Sequence, residues 1–143
     1  MPRIAVVFLV DARGHVLLQH RDEHAPRAAN QWGMVGGHVE EGEDFEPAAY
    51  RELTEETGLT LPAGSLQLWR DEEFTYRDGH HGRYHVYAVP VVATDADIVV
   101  GEGRQIVFVD PSSVTALDLA ESSRHFVPEF LASDLYRSFR TAS

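Results

Sequence analysis

Hydrophobic and polar positions divide the chain into short strands and two helices. Residues 4–10 are an unbroken apolar run and read as a strand. Residues 15–20 read as a second strand, joined to the first by a turn holding Asp11 and Gly14. Pro26 and Asn30 mark residues 22–31 as a loop. Residues 32–38 form a short strand that runs into the Gly36-Gly37 turn. Residues 46–57 are predicted to be a helix, with Pro47 in its first turn and Gly58 just past its end. Two longer strands follow at 66–76 and 83–94, connected by the glycine-containing turn at 78–82. Another strand occupies 105–109. Apolar positions at Phe126, Val127, Phe130, Leu131, Leu135 and Phe139 predict a terminal helix over 122–139. A mixed sheet between helices, an α/β sandwich, accommodates this order.

Composition narrows the picture. The chain has 143 residues, 43% hydrophobic and 24% charged, which suits a single domain over 1–143 with one core. The longest apolar run is too short to span a membrane, and no small-residue cleavage site follows it. There is no Cys, so disulfides, thiolate zinc sites and cysteine nucleophiles are excluded. This is compatible with a cytoplasmic protein. The net charge of −11 disfavours a nucleic-acid polymer as partner but admits a small phosphorylated ligand. All twelve basic residues are Arg, so a Walker-type lysine and Schiff-base chemistry are excluded as well.

The end of the predicted helix at 46–57 carries the candidate chemistry. Glu52, Glu55 and Glu56 fall on one face at about 100° per residue. Like charges at this spacing repel, and carboxylates near a helix C-terminus meet the negative end of its dipole. An arrangement opposed by both effects calls for a neutralising partner. Oxygen ligands of this kind suit Mg²⁺, with Mn²⁺ as the alternative.

Residues 37–59 also resemble the signature of the Nudix hydrolases. Gly37, Glu43, Arg51, Glu52, Leu53, Glu55, Glu56, Gly58 and Leu59 match its nine specified positions without a gap. The resemblance implies a Nudix-type α/β/α sandwich with a mixed β-sheet. It also implies a MutT-like, metal-dependent hydrolase that cleaves a phosphoanhydride bond by attack of metal-activated water. The substrate would be a nucleoside diphosphate linked to a further moiety X: a nucleoside triphosphate, a nucleotide sugar or a dinucleotide. By the same resemblance Glu52, Glu55 and Glu56 are the expected catalytic and metal-binding carboxylates, joined by the Gly36 carbonyl. Arg51 would pair with Glu43 and orient the carboxylates, and Gly58 would close the motif. Val35 stands where many relatives have Pro, so substrate identity does not carry over from the Pro-containing subgroups.

Outside the motif, Glu102 lies between two glycines and is a candidate metal ligand or base, weighed equally against an exposed loop acid. Arg21 ends the second strand, where the resemblance implies a phosphate contact, weighed equally against a solvated strand end. Gly37 and His38 are placed near the ligand, and Trp32 is the preferred stacking partner for a base over Trp69, Phe74 and Tyr76. His80, His81 and His85 read as turn and strand residues rather than a metal cluster. Specificity is assigned to 22–31, 70–85 and 95–104. The contrasting reading is a non-catalytic nucleotide-binding or regulatory module on the same fold. A homodimer is left open.

Overall fold

A computed structural model describes residues 1–101, 103 and 105–141. Strand β1 (Arg3–Val10) is central because its alternate side chains bury in opposite directions. Val6, Phe8 and Val10 enter one apolar cluster, while Ala5, Val7 and Leu9 enter another. Such a strand, covered on both faces, needs no polar alternation, which explains its continuous apolar run.

The remaining strands are β2 (Val16–His20), β3 (Trp32–Gly33), β4 (Val35–His38), β5 (Gln67–Thr75), β6 (His81–Pro90) and β7 (Gln105–Val109). They form one mixed sheet whose main order is β3-β2-β1-β6-β5. The β1–β6 pairing is parallel, aligning Arg3 with Arg83 through Val10 with Pro90. β4 pairs antiparallel with β1, and β7 pairs antiparallel with β2.

Helix α1 (Phe45–Thr57) covers one face, burying Ala48, Ala49 and Leu53 in the cluster of Ala5, Val7 and Leu9. Helices α2 (Glu121–Leu131) and α3 (Asp134–Thr141) cover the other face. There Phe126, Val127, Phe130 and Tyr136 pack on Phe8, and the Phe8 and Phe130 rings stack at 4.3 Å. The result is an α/β/α sandwich around a mixed sheet.

Three boundaries differ from expectation. The strand at 32–38 is broken at Met34, whose N–H donates to Ser123 Oγ at 3.2 Å. The helix at 122–139 is two helices. Ser133 interrupts it, with its hydroxyl accepting the Tyr136 N–H at 3.2 Å. The strand at 83–94 ends at Pro90, and a 3-10 turn follows at Asp95–Asp97.

Candidate active site

Two glycines allow close approach here, Gly36 between β4 and β1 and Gly37 between β4 and the Glu52 side chain of α1. Gly36 has φ 147°, and a Cβ there would lie 2.2 Å from the Ala5 carbonyl oxygen of β1. At Gly37 a Cβ would lie 2.6–2.7 Å from the Glu52 carboxylate. Glu52 therefore rests directly on the backbone of the turn. The Gly36 N–H also donates to Glu56 Oε2 at 3.2 Å. Two carboxylates one helical turn apart are thus drawn to the same Gly-Gly segment.

Arg51 is the hub of this end of the helix. Its Nε and Nη2 donate to the two oxygens of Glu43, each at 2.9 Å. Its Nη1 reaches Glu52 at 3.0 Å and Glu55 at 3.2 Å, and Nη2 also donates to the His38 carbonyl at 3.0 Å. The guanidinium holds the Glu43 carboxyl far down, at about 2, with the Glu40 N–H assisting. In return the Glu43 carboxylate raises the pKa of Arg51, so the guanidinium stays charged. This supplies part of the positive charge that the acidic helix end requires.

The helix C-terminus receives a further set of donors. Gly58 N–H donates to the Thr54 carbonyl at 2.9 Å. Val99 N–H donates to the Thr57 carbonyl at 2.8 Å, and Gly101 N–H to the Glu56 carbonyl at 2.9 Å. The segment after the 3-10 turn therefore docks on the last turn of α1. Sequence reasoning had no signal for this docking, because backbone donors leave no residue signature.

A cleft of about 790 Å³ opens over the turn. Glu52, Glu56, Gly36, Gly37, His38 and Arg21 are among its lining residues. A second cleft of about 480 Å³ adjoins it, bordered by Arg21, His24, Gly101 and Gly103, and Glu56 lines both. Cleft walls with a few convergent polar groups are the usual form of a small-molecule site.

The predicted residues are distributed unevenly. Glu52 and Glu56 face the large cleft, whereas Glu55 is exposed and held by Arg51 outside its lining. Trp32 stacks on His20 at 4.6 Å and is not among the lining residues. Glu102 lies outside the described residues. The sequence reading assigned specificity to 22–31 and 70–85 without singling out the two residues that meet from these segments. Arg27 from the 22–31 loop and His80 from the β5–β6 turn line the large cleft and contact each other at 2.8 Å, 53 positions apart. Tyr84 and Ser123 also line it. Among the described residues, no three His, Asp or Glu side chains are already gathered as a metal cage. No helix among them is long and apolar enough to cross a membrane.

The NUDIX domain family model matches residues 1–130, well beyond the motif itself. Nucleoside triphosphatase NudI of Salmonella agona (strain SL483) is 32% identical over 130 residues, which cover 86% of this chain and 92% of that protein. Among solved structures, the E. coli dihydroneopterin triphosphate pyrophosphohydrolase is similar with a TM-score of 0.71 and 24% identity. That match covers 90% of this chain and 94% of the other. The NUDIX domain of Shewanella oneidensis NrtR, solved with ADP ribose, gives a TM-score of 0.72 at 17% identity, covering 87% and 82% of the two chains. These two structural likenesses speak for the fold, and the family match together with the NudI relative speaks for descent. The chain belongs to the NUDIX family and is a Nudix-type pyrophosphohydrolase.

Proposed function

We propose that this protein hydrolyses a phosphoanhydride bond of a nucleoside triphosphate, or of another nucleoside diphosphate linked to a moiety X, with Mg²⁺ as cofactor and Mn²⁺ as substitute. The observation that carries this reading is the convergence of Glu52 and Glu56 on the Gly36-Gly37 turn in the lining of a nucleotide-sized cleft. The similarity to a protein named nucleoside triphosphatase supports the choice of triphosphate as first candidate.

The donor set fits a hard divalent cation. Glu52 and Glu56 offer carboxylate oxygens, and the backbone at Gly36 offers a carbonyl. The missing Cβ at Gly37 leaves the space that the Glu52 carboxylate occupies. When bound, the cation supplies charge neutralisation for the phosphoryl oxygens and acidifies water. Arg51, locked by Glu43, fixes the carboxylate of Glu52 and holds Glu55 at the rim. Arg21 lines both clefts where they meet at Glu56, and its guanidinium suits a phosphate oxygen. His38 also lines the large cleft. The net charge of −11 fits a small ligand that arrives with its cation better than a polyanionic polymer.

The test is a panel of nucleoside triphosphates, nucleotide sugars and dinucleotides, with released phosphate and pyrophosphate measured in Mg²⁺. Turnover should stop with chelator and return with Mg²⁺ or Mn²⁺. The melting temperature should rise on adding the cation, because binding to the native state stabilises it. Full turnover in a chelator-treated, metal-free preparation contradicts the reading.

A further inference from the structure

The large cleft that Glu52 and Glu56 line also holds an arginine that stability alone does not explain. Arg27 sits in the loop after β2, exposed, yet its Nη1 contacts His80 Nε2 at 2.8 Å. A guanidinium has donors only, so His80 Nε2 must be the acceptor. The His80 proton then lies on Nδ1, which donates to Asp78 Oδ1.

The ring is held by more than its two nitrogens. His80 stacks on Tyr76 with centroids 4.0 Å apart and planes 10° apart. The Tyr76 hydroxyl is hydrogen-bonded to that of Tyr84, which is buried. The turn itself is tied to α2, because Arg77 N–H donates to Glu121 Oε2 at 2.6 Å. Holding a long exposed side chain costs rotamer entropy, and an exposed contact returns little stability for it. A chain of four ordered side chains ending in one guanidinium at a cleft wall is the arrangement a binding site uses for preorganisation.

Resting on the nucleotide-hydrolase reading, the geometry assigns Arg27 as the residue that reads the nucleobase. It favours guanine, with a keto oxygen at C6, and uracil or thymine, with one at C4, over adenine and cytosine, which carry an amino group at that position. His80 is its positioning residue. The chemistry is one of donors and acceptors. After its contact with His80, Arg27 has only further N–H donors to offer. Guanine presents O6 and N7 as adjacent acceptors, and uracil and thymine present O4. Where O6 or O4 would be, adenine and cytosine carry an amino donor, so donor would face donor there, and adenine keeps N7 alone of guanine's two adjacent acceptors. Arg27 and His80 line the same cleft as Glu52 and Glu56, so a nucleotide whose phosphates sit at the carboxylates has its base in a cleft that Arg27 also lines.

The test compares GTP with ATP and UTP with CTP, so that each pair holds ring size constant. The wild type should favour the keto member of both pairs in kcat/KM by roughly tenfold or more, as one well-placed base contact does. Arg27→Ala should bring both ratios close to one, chiefly through KM, with the melting temperature unchanged. His80→Ala should move the ratios the same way, and His80→Gln, whose amide oxygen can accept from Arg27, should restore them in part. Calorimetric binding of GMP, AMP, UMP and CMP reads the same preference without turnover. Keto preference in binding with no hydrolysis of any nucleotide would uphold this assignment and overturn the hydrolase reading. Hydrolysis with equal ratios, or ratios untouched by Arg27→Ala, would overturn the assignment alone. No binding of any monophosphate and no turnover would overturn both.

Discussion

Arg51 in the middle of helix α1 and Glu43 just before its start face each other through two parallel hydrogen bonds, both 2.9 Å. This pair makes the acidic end of the helix tolerable, because the same guanidinium also reaches Glu52 and Glu55. Its fork geometry is specific to arginine, and a lysine could not serve three carboxylates and the His38 carbonyl together.

The pair has a pH signature. Glu43 falls from an ordinary 4.5 to about 2 in the folded protein, chiefly through its hydrogen bonds with Arg51. A depressed carboxylate contributes stability that is complete above its unfolded pKa. That contribution is lost as pH falls through the folded value. Glu43→Gln should therefore melt below the wild type at neutral pH, and the gap should close between pH 4.5 and about 2. Thermal melts across this range check it, and a gap independent of pH contradicts it.

The two turn glycines should fail differently. Gly36→Ala drives a methyl group into the Ala5 carbonyl of β1, which cannot move without breaking the sheet. It should cost more than ~1 kcal/mol of stability. Gly37→Ala meets the Glu52 carboxylate atoms as its nearest neighbours, so that side chain and its hydrogen bond with Arg51 must shift rather than the sheet backbone. It should leave the melting temperature nearly unchanged while lowering the rate by ~10²-fold, the cost of a small misplacement at a reacting centre. Paired melts and rates check the contrast. Equal losses of stability in the two variants contradict it.

Helix α1 was legible because local chemistry marks both its ends. The predicted 46–57 differs from Phe45–Thr57 by one residue, with Pro47 at the start and Gly58 at the stop. β1 was equally plain from its apolar run. The break at Met34 was not, since the partner that interrupts the strand is Ser123, far along the chain. The split of the last helix had a local signal, Ser133 followed by Asp134, but the apolar period runs on through it and masked the stop. The glutamate stripe was visible as a stripe. Its division into Glu52 and Glu56 inside the cleft and Glu55 outside depends on where the sheet lies. The Arg27–His80 contact joins residues 53 positions apart, and no local pattern encodes it.

Glu102 can be tested through chemistry alone. Its neighbours Gly101 and Gly103 border the smaller cleft together with Glu56. A general base at this position predicts that Glu102→Gln lowers kcat by ~10²-fold or more with little change in KM. Single-turnover rates at saturating cation give the answer. A rate within a few-fold of wild type removes Glu102 from the catalytic set.

The central claim is that the carboxylates on the Gly36-Gly37 turn carry the hydrolysis. Glu56 tests it most directly, because it lines both clefts and accepts from Gly36. The measurement is the single-turnover rate of nucleotide hydrolysis by Glu56→Gln at saturating Mg²⁺, alongside its melting temperature without metal. The substitution keeps shape and removes one of the charges crowded on the helix, so the metal-free protein should melt at or above the wild-type temperature. The rate should fall by several orders of magnitude, at or beyond the ~10²–10⁴-fold range of a lost catalytic carboxylate. A folded variant that turns over at close to the wild-type rate would contradict the account.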